Sequence, residues 1–324
     1  MKPHALPAAL ASLRLTPFAL LLLAAASIAV YRFEHSAAPW LAAPLALLAA
    51  NLCAAVATNA VFRRQLPLLV FHLALIALVV LAALGRLTYL NGRAEVAEGA
   101  AFVSLMQRDA GVLHGGALAR LNFVNEGFEI GYMAGPVLDT NVARLRWRDA
   151  QGRERSGAIE DNAPLVQHGY RIYPTSNKGF AVMLEWRAAG AAPLAAAVHL
   201  PSYPANEGAQ AREWQPAAAA APLWIMLPIA TPLIRADRPS RFRLPEQQQL
   251  VLRRGAQRWV LQPGQTLALP DGSVTYQGLR TWMGYRIMYD WTVPWMLAAC
   301  VVAIVAMGWH FWRRFDAIPW NKES

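Results

Sequence analysis

Four runs of apolar residues, each long enough to cross a bilayer as a helix, constrain this chain more than any other feature. A hydrocarbon core needs roughly 20 apolar residues of helix, and residues 15–31, 40–61, 66–84 and 292–312 come close to or exceed that length. Hydrophobic residues make up 56% of the 324 and charged ones only 15%, and the apolar residues are bunched into these runs. The stretch from 91 to 291 is mixed and mostly polar. The expected architecture is therefore a membrane protein with four transmembrane α-helices, three N-terminal and one C-terminal, plus a β-rich extracytoplasmic domain. Its parts are 1–90, 91–291 and 292–324.

Orientation follows from the basic residues, because Lys and Arg in short loops stay on the cytoplasmic side. Lys2 and Arg14 precede the first run, Arg63 and Arg64 join the second to the third, and Arg313, Arg314 and Lys322 follow the fourth. All three groups fall on one side, which makes both termini cytoplasmic and puts the long central region outside. Two alternatives bear on the count. The first run has the basic flank and small residues of a signal peptide, although its removal would not move the large domain. The stretch 216–234, "PAAAAAPLWIMLPIATPLI", is apolar enough for a fifth span. Pro222, Pro228 and Pro232 would each remove a helical hydrogen bond inside lipid, so it reads as a buried or membrane-surface part of the outer domain.

The net charge of +10 raises the question of nucleic acid. The basic residues are scattered along membrane flanks and strand-like segments, with no Lys/Arg stripe, so no nucleic-acid partner is expected. Cys53 and Cys300 both sit in predicted spans, leaving the central domain without a disulfide or a Cys-x-x-Cys pair. Thioredoxin-type chemistry is excluded, and so is covalent haem attachment to this chain.

The central region reads as short alternating runs separated by Gly, Pro, Asn and Asp, with hairpin signals in "WRDAQGRER" and "LPDGSVTY". A sandwich or partly open barrel is expected. In the second run Ala46, Ala50 and Ala54 form a stripe along which another helix can approach closely, beside a slightly polar stripe of Asn51, Ala55 and Thr58. Trp282, Trp291 and Trp295 read as an aromatic belt where the fourth span meets the outer surface.

One residue stands out within the third run, "LLVFHLALIALVVLAALGRLTYL": His72, an imidazole in a segment apolar enough for lipid. An ionisable group at that depth has either a metal or a polar partner on another helix. At roughly 1.5 Å per residue from Leu66 it sits about 9 Å along the helix, in the cytoplasmic half. His310 lies at a similar depth in the fourth span, beside Trp309, Trp312 and Arg313. His114, His168 and His199 lack metal-ligand spacing and read as surface or turn residues, and His4 and His35 belong to the terminus and the short outer loop.

Four segments, "LASLRLTPFALLLLAAASIAV", "FHLALIALVVLAALGRLTYLNGRAEVAEG", "NAPLVQHGYRIYPTS" and "LRTWMGYRIMYDWTVPWML", resemble landmarks of the ResB (CcsB) family in order and topological place. The resemblance lapses between about 180 and 245. It departs where many members read Asp-Pro-Gly and this chain has Asp290, Trp291 and Thr292. The resemblance implies a subunit of the system II cytochrome c maturation complex in the bacterial inner membrane, with a periplasmic domain. Implied partners are a CcsA (ResC)-type membrane protein, apocytochrome c and thiol-reducing proteins of the pathway. It also implies non-covalent haem b with His72, after Phe71, as an axial ligand of the iron. The second axial ligand would come from the partner, with His310 the candidate inside this chain. A stand-alone membrane cytochrome b, with haem held by His72 and His310, and a haem-free assembly or sensing module remain the competing readings.

Overall fold

The computed structural model describes residues 9–33, 37–218 and 220–316; Lys2, His4, His35 and Lys322 lie outside the described residues. The helices are α1 (Leu15–Phe33), α2 (Ala37–Thr58), α3 (Ala60–Arg64), α4 (Leu66–Thr88) and α5 (Val293–Asp316). Four of these, all but α3, are long and apolar enough to cross a membrane. The second run ends earlier than its hydropathy suggests, because the Asn59 side chain accepts a hydrogen bond from Val61 N and starts the separate α3. The third runs a turn further, to Thr88, since Arg86 at its end costs little at a membrane edge.

The chain divides into two compact units. The helical unit holds the chain up to Asn91, the segment Arg108–Gly116 and the chain from Met288 on. Within it α1 packs on α2, α2 on α4 and α4 on α5. The face that α2 packs is not the alanine stripe: Ala46 and Ala50 are exposed, whereas Leu48 and Asn51 are buried. A polar group in lipid must be satisfied, and Asn51 turns inward to find partners. Its amide donates to the carbonyls of Leu10 (2.6 Å) and Ser12 (3.2 Å), and its Oδ1 accepts from the Thr16 hydroxyl at 2.7 Å. One side chain thus ties the entry of α1 to the middle of α2.

The β unit holds Gly92–Gln107 and Ala117–Ile287. Its strands, with the ends that run on beyond these limits, are in chain order β1 (Leu90–Ala97), β2 (Gln107–Ala110), β3 (Phe123–Tyr132), β4 (Leu138–Arg148), β5 (Glu154–Ile159), β6 (Leu165–Gln167), β7 (Tyr170–Ala188) and β8 (Leu194–His199). They continue as β9 (Ala211–Trp214), β10 (Leu223–Met226), β11 (Ser240–Arg241), β12 (Leu250–Arg254), β13 (Gln257–Leu261), β14 (Thr266–Leu269) and β15 (Gly272–Tyr289). They form three sheets: β2-β1-β15-β7-β6, with β14 on β15 and β8 on β7; β13-β12-β10-β9; and β11-β3-β4-β5. The long strands β7 and β15 explain why this is neither a simple sandwich nor one barrel. The start of β7 pairs with β6 and its end with β8, so one strand serves two neighbours in succession. Both predicted hairpins form, β4 with β5 and β14 with β15. The proline-rich stretch 216–234 contains no helix among its described residues and contributes β10, with Leu223, Ile225 and Leu227 buried.

Trp282 departs from its expected place in a belt. It lies in β15, 1% exposed, with its indole N–H donating to Leu200 O at 3.2 Å. The strand runs on to Tyr289 before α5 begins, so this tryptophan belongs to the sheet core, where Gly179 leaves room for its ring. Trp291 and Trp295 are 39% and 61% exposed, which keeps them available to an interface.

Candidate functional site

The central helix of the bundle carries the candidate site, because α4 has α2 on one side and α5 on the other. His72 is half-buried on it, its ring 4.5 Å from the buried ring of Phe62 and 5.3 Å from that of Phe71. Its Nδ1 lies 2.8 Å from the carbonyl oxygen of Leu68, one turn back. A carbonyl only accepts, so Nδ1 carries the proton and, in the neutral ring, Nε2 keeps the lone pair. No hydrogen bond engages Nε2 among the described residues. This is the tautomer that an axial metal ligand needs, held by the kind of backbone contact that orients ligating imidazoles.

His310 has a different neighbourhood. With Arg64, Gln65, Leu68, Arg313 and Arg314 it lines a cavity of about 460 Å³ at one end of the α4–α5 pair. At the other end Gly85 of α4 meets Thr292, where an added Cβ would come within 2.8 Å of the hydroxyl. Counting along antiparallel helices from either contact places Val305 or Ala306 level with His72; Ala306 is the buried one of the two, at 2% exposure. His310 therefore sits about one turn away, roughly 6 Å along the axis. His72 and His310 are on packed helices but not at one level, and no group of three or more metal-ligating side chains forms among the described residues.

The end of α4 distant from His72 is closed by a polar clasp that the sequence reading missed. The Trp291 indole donates to Thr88 Oγ1 at 2.9 Å, and Asp290 Oδ1 accepts from both the amide (3.0 Å) and the hydroxyl (2.7 Å) of Thr292. The departure Asp290-Trp291-Thr292 thus makes a working turn that opens α5. The segment 108–116 crosses the same end: Gly111 N donates to Tyr89 O, Leu113 N to Leu87 O, and His114 Nδ1 lies 2.8 Å from Thr88 O. His114 also meets Tyr289 edge-on at 5.2 Å, so it is a clasp residue instead of a surface one. No local pattern announces this, since the contact joins residues 26 apart that share no element.

His168 sits with positive φ in the turn between β6 and β7, as a turn residue should. His199 is more than a surface residue: Nδ1 lies 3.2 Å from Glu95 Oε2 and the ring stacks on Trp282 at an interplanar angle of 5°. Lys178 is another buried group that the sequence did not signal. It is 3% exposed, donates to the Tyr132 hydroxyl, and lies over the rings of Tyr132 and Phe242. Burial pushes its ammonium down to about 8 and pushes the Tyr132 phenol up.

Four long apolar helices, three before the β region in sequence and one after it, define a membrane protein with a three-sheet β region. A model of the ResB-like family matches residues 54–315, from within α2 to the last turn of α5, and the chain belongs to that family. No curated protein matches the sequence.

Proposed function

We propose that this chain is the ResB-type subunit of a cytochrome c synthetase, binding haem b non-covalently within the membrane and helping a CcsA-type partner export it and attach it to apocytochrome c. The observation that carries this reading is the His72 tautomer, with Nδ1–H given to Leu68 O and Nε2 left free, in a chain of the ResB-like family. His72 would hold the iron; when bound, the haem supplies the vinyl groups to which apocytochrome thiols are joined. The residues of this chain bind and orient it. Phe62 and Phe71 fix the imidazole plane, and the apolar helix around it excludes water.

Ala306 on the facing helix offers no ligand at the level of His72, which supports a second axial ligand drawn from the partner. Leu66, Leu73 and Val80 recur every seventh residue on α4 and are 54%, 49% and 38% exposed, a stripe suited to lipid or to a partner helix. The arginines at 63, 64, 313 and 314 favour cytoplasmic termini and a periplasmic β unit. Thiol-reducing proteins would keep the apocytochrome cysteines ready, because no cysteine of this chain lies in the β unit.

The test is a visible spectrum of the purified chain, produced with and without a CcsA-type protein. Haem that appears with the partner and is lost in His72→Ala is the expected result. Haem held by the lone chain and lost in both His72→Ala and His310→Ala would instead make it a b-type cytochrome, and no haem in any sample would refute both.

A further inference from the structure

The β unit contains a cavity of about 590 Å³ formed by one excursion of the chain, 228–247, in the stretch where the sequence resemblance lapses. Ile229, Leu233, Leu244 and several prolines give it apolar walls, and Arg235, Arg238, Arg241 and Arg243 line it with guanidinium groups. Among the described residues the only carboxylate lining it is Glu246. These cations are only partly neutralised. Arg241 pairs with Glu129 at 2.7 Å, but Arg235–Asp237 and Arg243–Glu246 are long, at 3.7 and 3.6 Å, and their carboxylates are 69% and 88% exposed. Exposed pairs of that length contribute little. Arg238 has no acidic partner among the described residues.

The walls are held in place before any ligand arrives. Between the outward-facing Arg241 and Arg243, Phe242 turns inward, stacks on Phe180 at 5.1 Å and Phe128 at 5.9 Å, and donates its amide to Ile130 O. Leu233 N donates to the Tyr203 hydroxyl, Arg235 N to Ser240 Oγ, and Gly135 N to Arg235 O. Pro228, Pro232, Pro239 and Pro245 restrict the remaining backbone. A fixed pocket of this size is ordinary for a small ligand. A planar guanidinium fork matches carboxylate geometry, and several together with apolar walls select a molecule with both characters.

We infer that this cavity binds an amphipathic ligand with an apolar body and two or more carboxylates. The inference goes beyond the haem reading of the helices and does not depend on His72. A suitable probe is metal-free protoporphyrin IX, a rigid apolar dicarboxylate that offers no iron to any histidine. The full chain in lipid nanodiscs is titrated with it by fluorescence against empty nanodiscs, alongside the porphyrin dimethyl ester.

The expected result is binding of the diacid at least about tenfold tighter than the diester, weakened at least about tenfold in Arg238→Gln/Arg243→Gln and unchanged in Arg258→Gln, an exposed arginine outside the cavity. Partial rescue by Arg238→Lys/Arg243→Lys, with unaltered hydrogen exchange in the β unit, separates charge from folding. Equal binding of diacid and diester, or a double variant within twofold of wild type, would overturn the site. Displacement of the probe by a long-chain α,ω-dicarboxylic acid supports the chemical class without requiring a porphyrin. Equal displacement by a hexaglutamate peptide overturns the amphipathic class and leaves a site for acidic peptides. Failure of His72→Ala to lose haem would refute the membrane site alone.

Discussion

In the helical unit Leu21, Ile28, Leu297 and Ile304 are 70%, 68%, 67% and 72% exposed, whereas in the β unit Ile130, Leu145, Ile172 and Leu184 are wholly buried. The same kinds of side chain face opposite ways because the surroundings differ. In water, apolar burial drives the β unit together at about 25 cal/mol per Å². In lipid that drive is absent between helices, so close contact and hydrogen bonds must hold them. The helical unit accordingly relies on Ala74, Gly85, Ala303 and Ala306 at its packed faces and on a few polar clasps, and the β unit on large side chains such as Phe123, Tyr170 and Tyr276.

The largest effect should come from a glycine in a clasp. A Cβ on Gly111 would overlap the backbone carbonyl of Leu87, and a backbone atom cannot swing aside as a side chain can. Gly111→Ala is expected to cost about 3 kcal/mol or more and to raise hydrogen exchange at the end of α4. Its counterpart in the β unit, Gly131→Ala, places the Cβ 3.3 Å from the Thr140 side chain and should cost less than about 1 kcal/mol. Equal protection of both variants against exchange would break the idea that the helical unit depends on such close contacts.

The sequence made the large features legible through pattern: four apolar runs gave the helices, and turn residues between alternating runs gave the hairpins. It failed where a choice between faces depended on a distant partner. Ala46 and Ala50 looked like a packing stripe, but Asn51 gained more by turning toward Leu10 and Ser12, which hydropathy cannot anticipate. Trp282 looked interfacial because it lies near a span in sequence; β15 carries it into the sheet core. Of the site, His72 was visible as a lone imidazole in an apolar run. The Leu68 contact that fixes its tautomer follows from its position in the helix, whereas the level of His310 required the packing of α4 on α5.

A smaller effect, of opposite sign, should follow from removing a charge buried in the β unit. Lys178 is ordinarily protonated up to about 10.5 in an unfolded chain but only to about 8 in the fold, so between those values the unfolded state binds more protons. Stability then rises with pH across that window, by about 2 kcal/mol between pH 8 and 10. The charge is present and costly below pH 8. Lys178→Met should therefore raise the thermal midpoint at pH 7 and remove the rise toward pH 10. A wild-type midpoint that tracks the variant at every pH would mean that the aromatic rings over the ammonium offset its desolvation in full.

The smallest difference between the units comes from one residue type used in both. Asn51 in the bundle and Asn125 in the β unit are each buried and fully engaged; Asn125 donates to Val96 O at 2.8 Å and accepts from Gly127 N at 3.0 Å, across the irregularity in β3. Replacing either by alanine leaves backbone groups unpaired, but the reference states differ. When the β unit opens, water pairs Val96 O and Gly127 N, so Asn125→Ala bears the whole cost of two unsatisfied groups in the fold, about 2 kcal/mol. A helix that separates within lipid keeps its backbone bonds and finds other partners for its side chains, so the folded state loses less relative to it. Asn51→Ala should cost only about 1 kcal/mol, although it removes three hydrogen bonds instead of two. Hydrogen exchange measured separately at the start of α1 and along β3 reads both costs in one protein. A larger loss at α1 than at β3 would show that the Leu10 and Ser12 carbonyls meet water and not lipid on opening, and would place the entry of α1 in the aqueous interface.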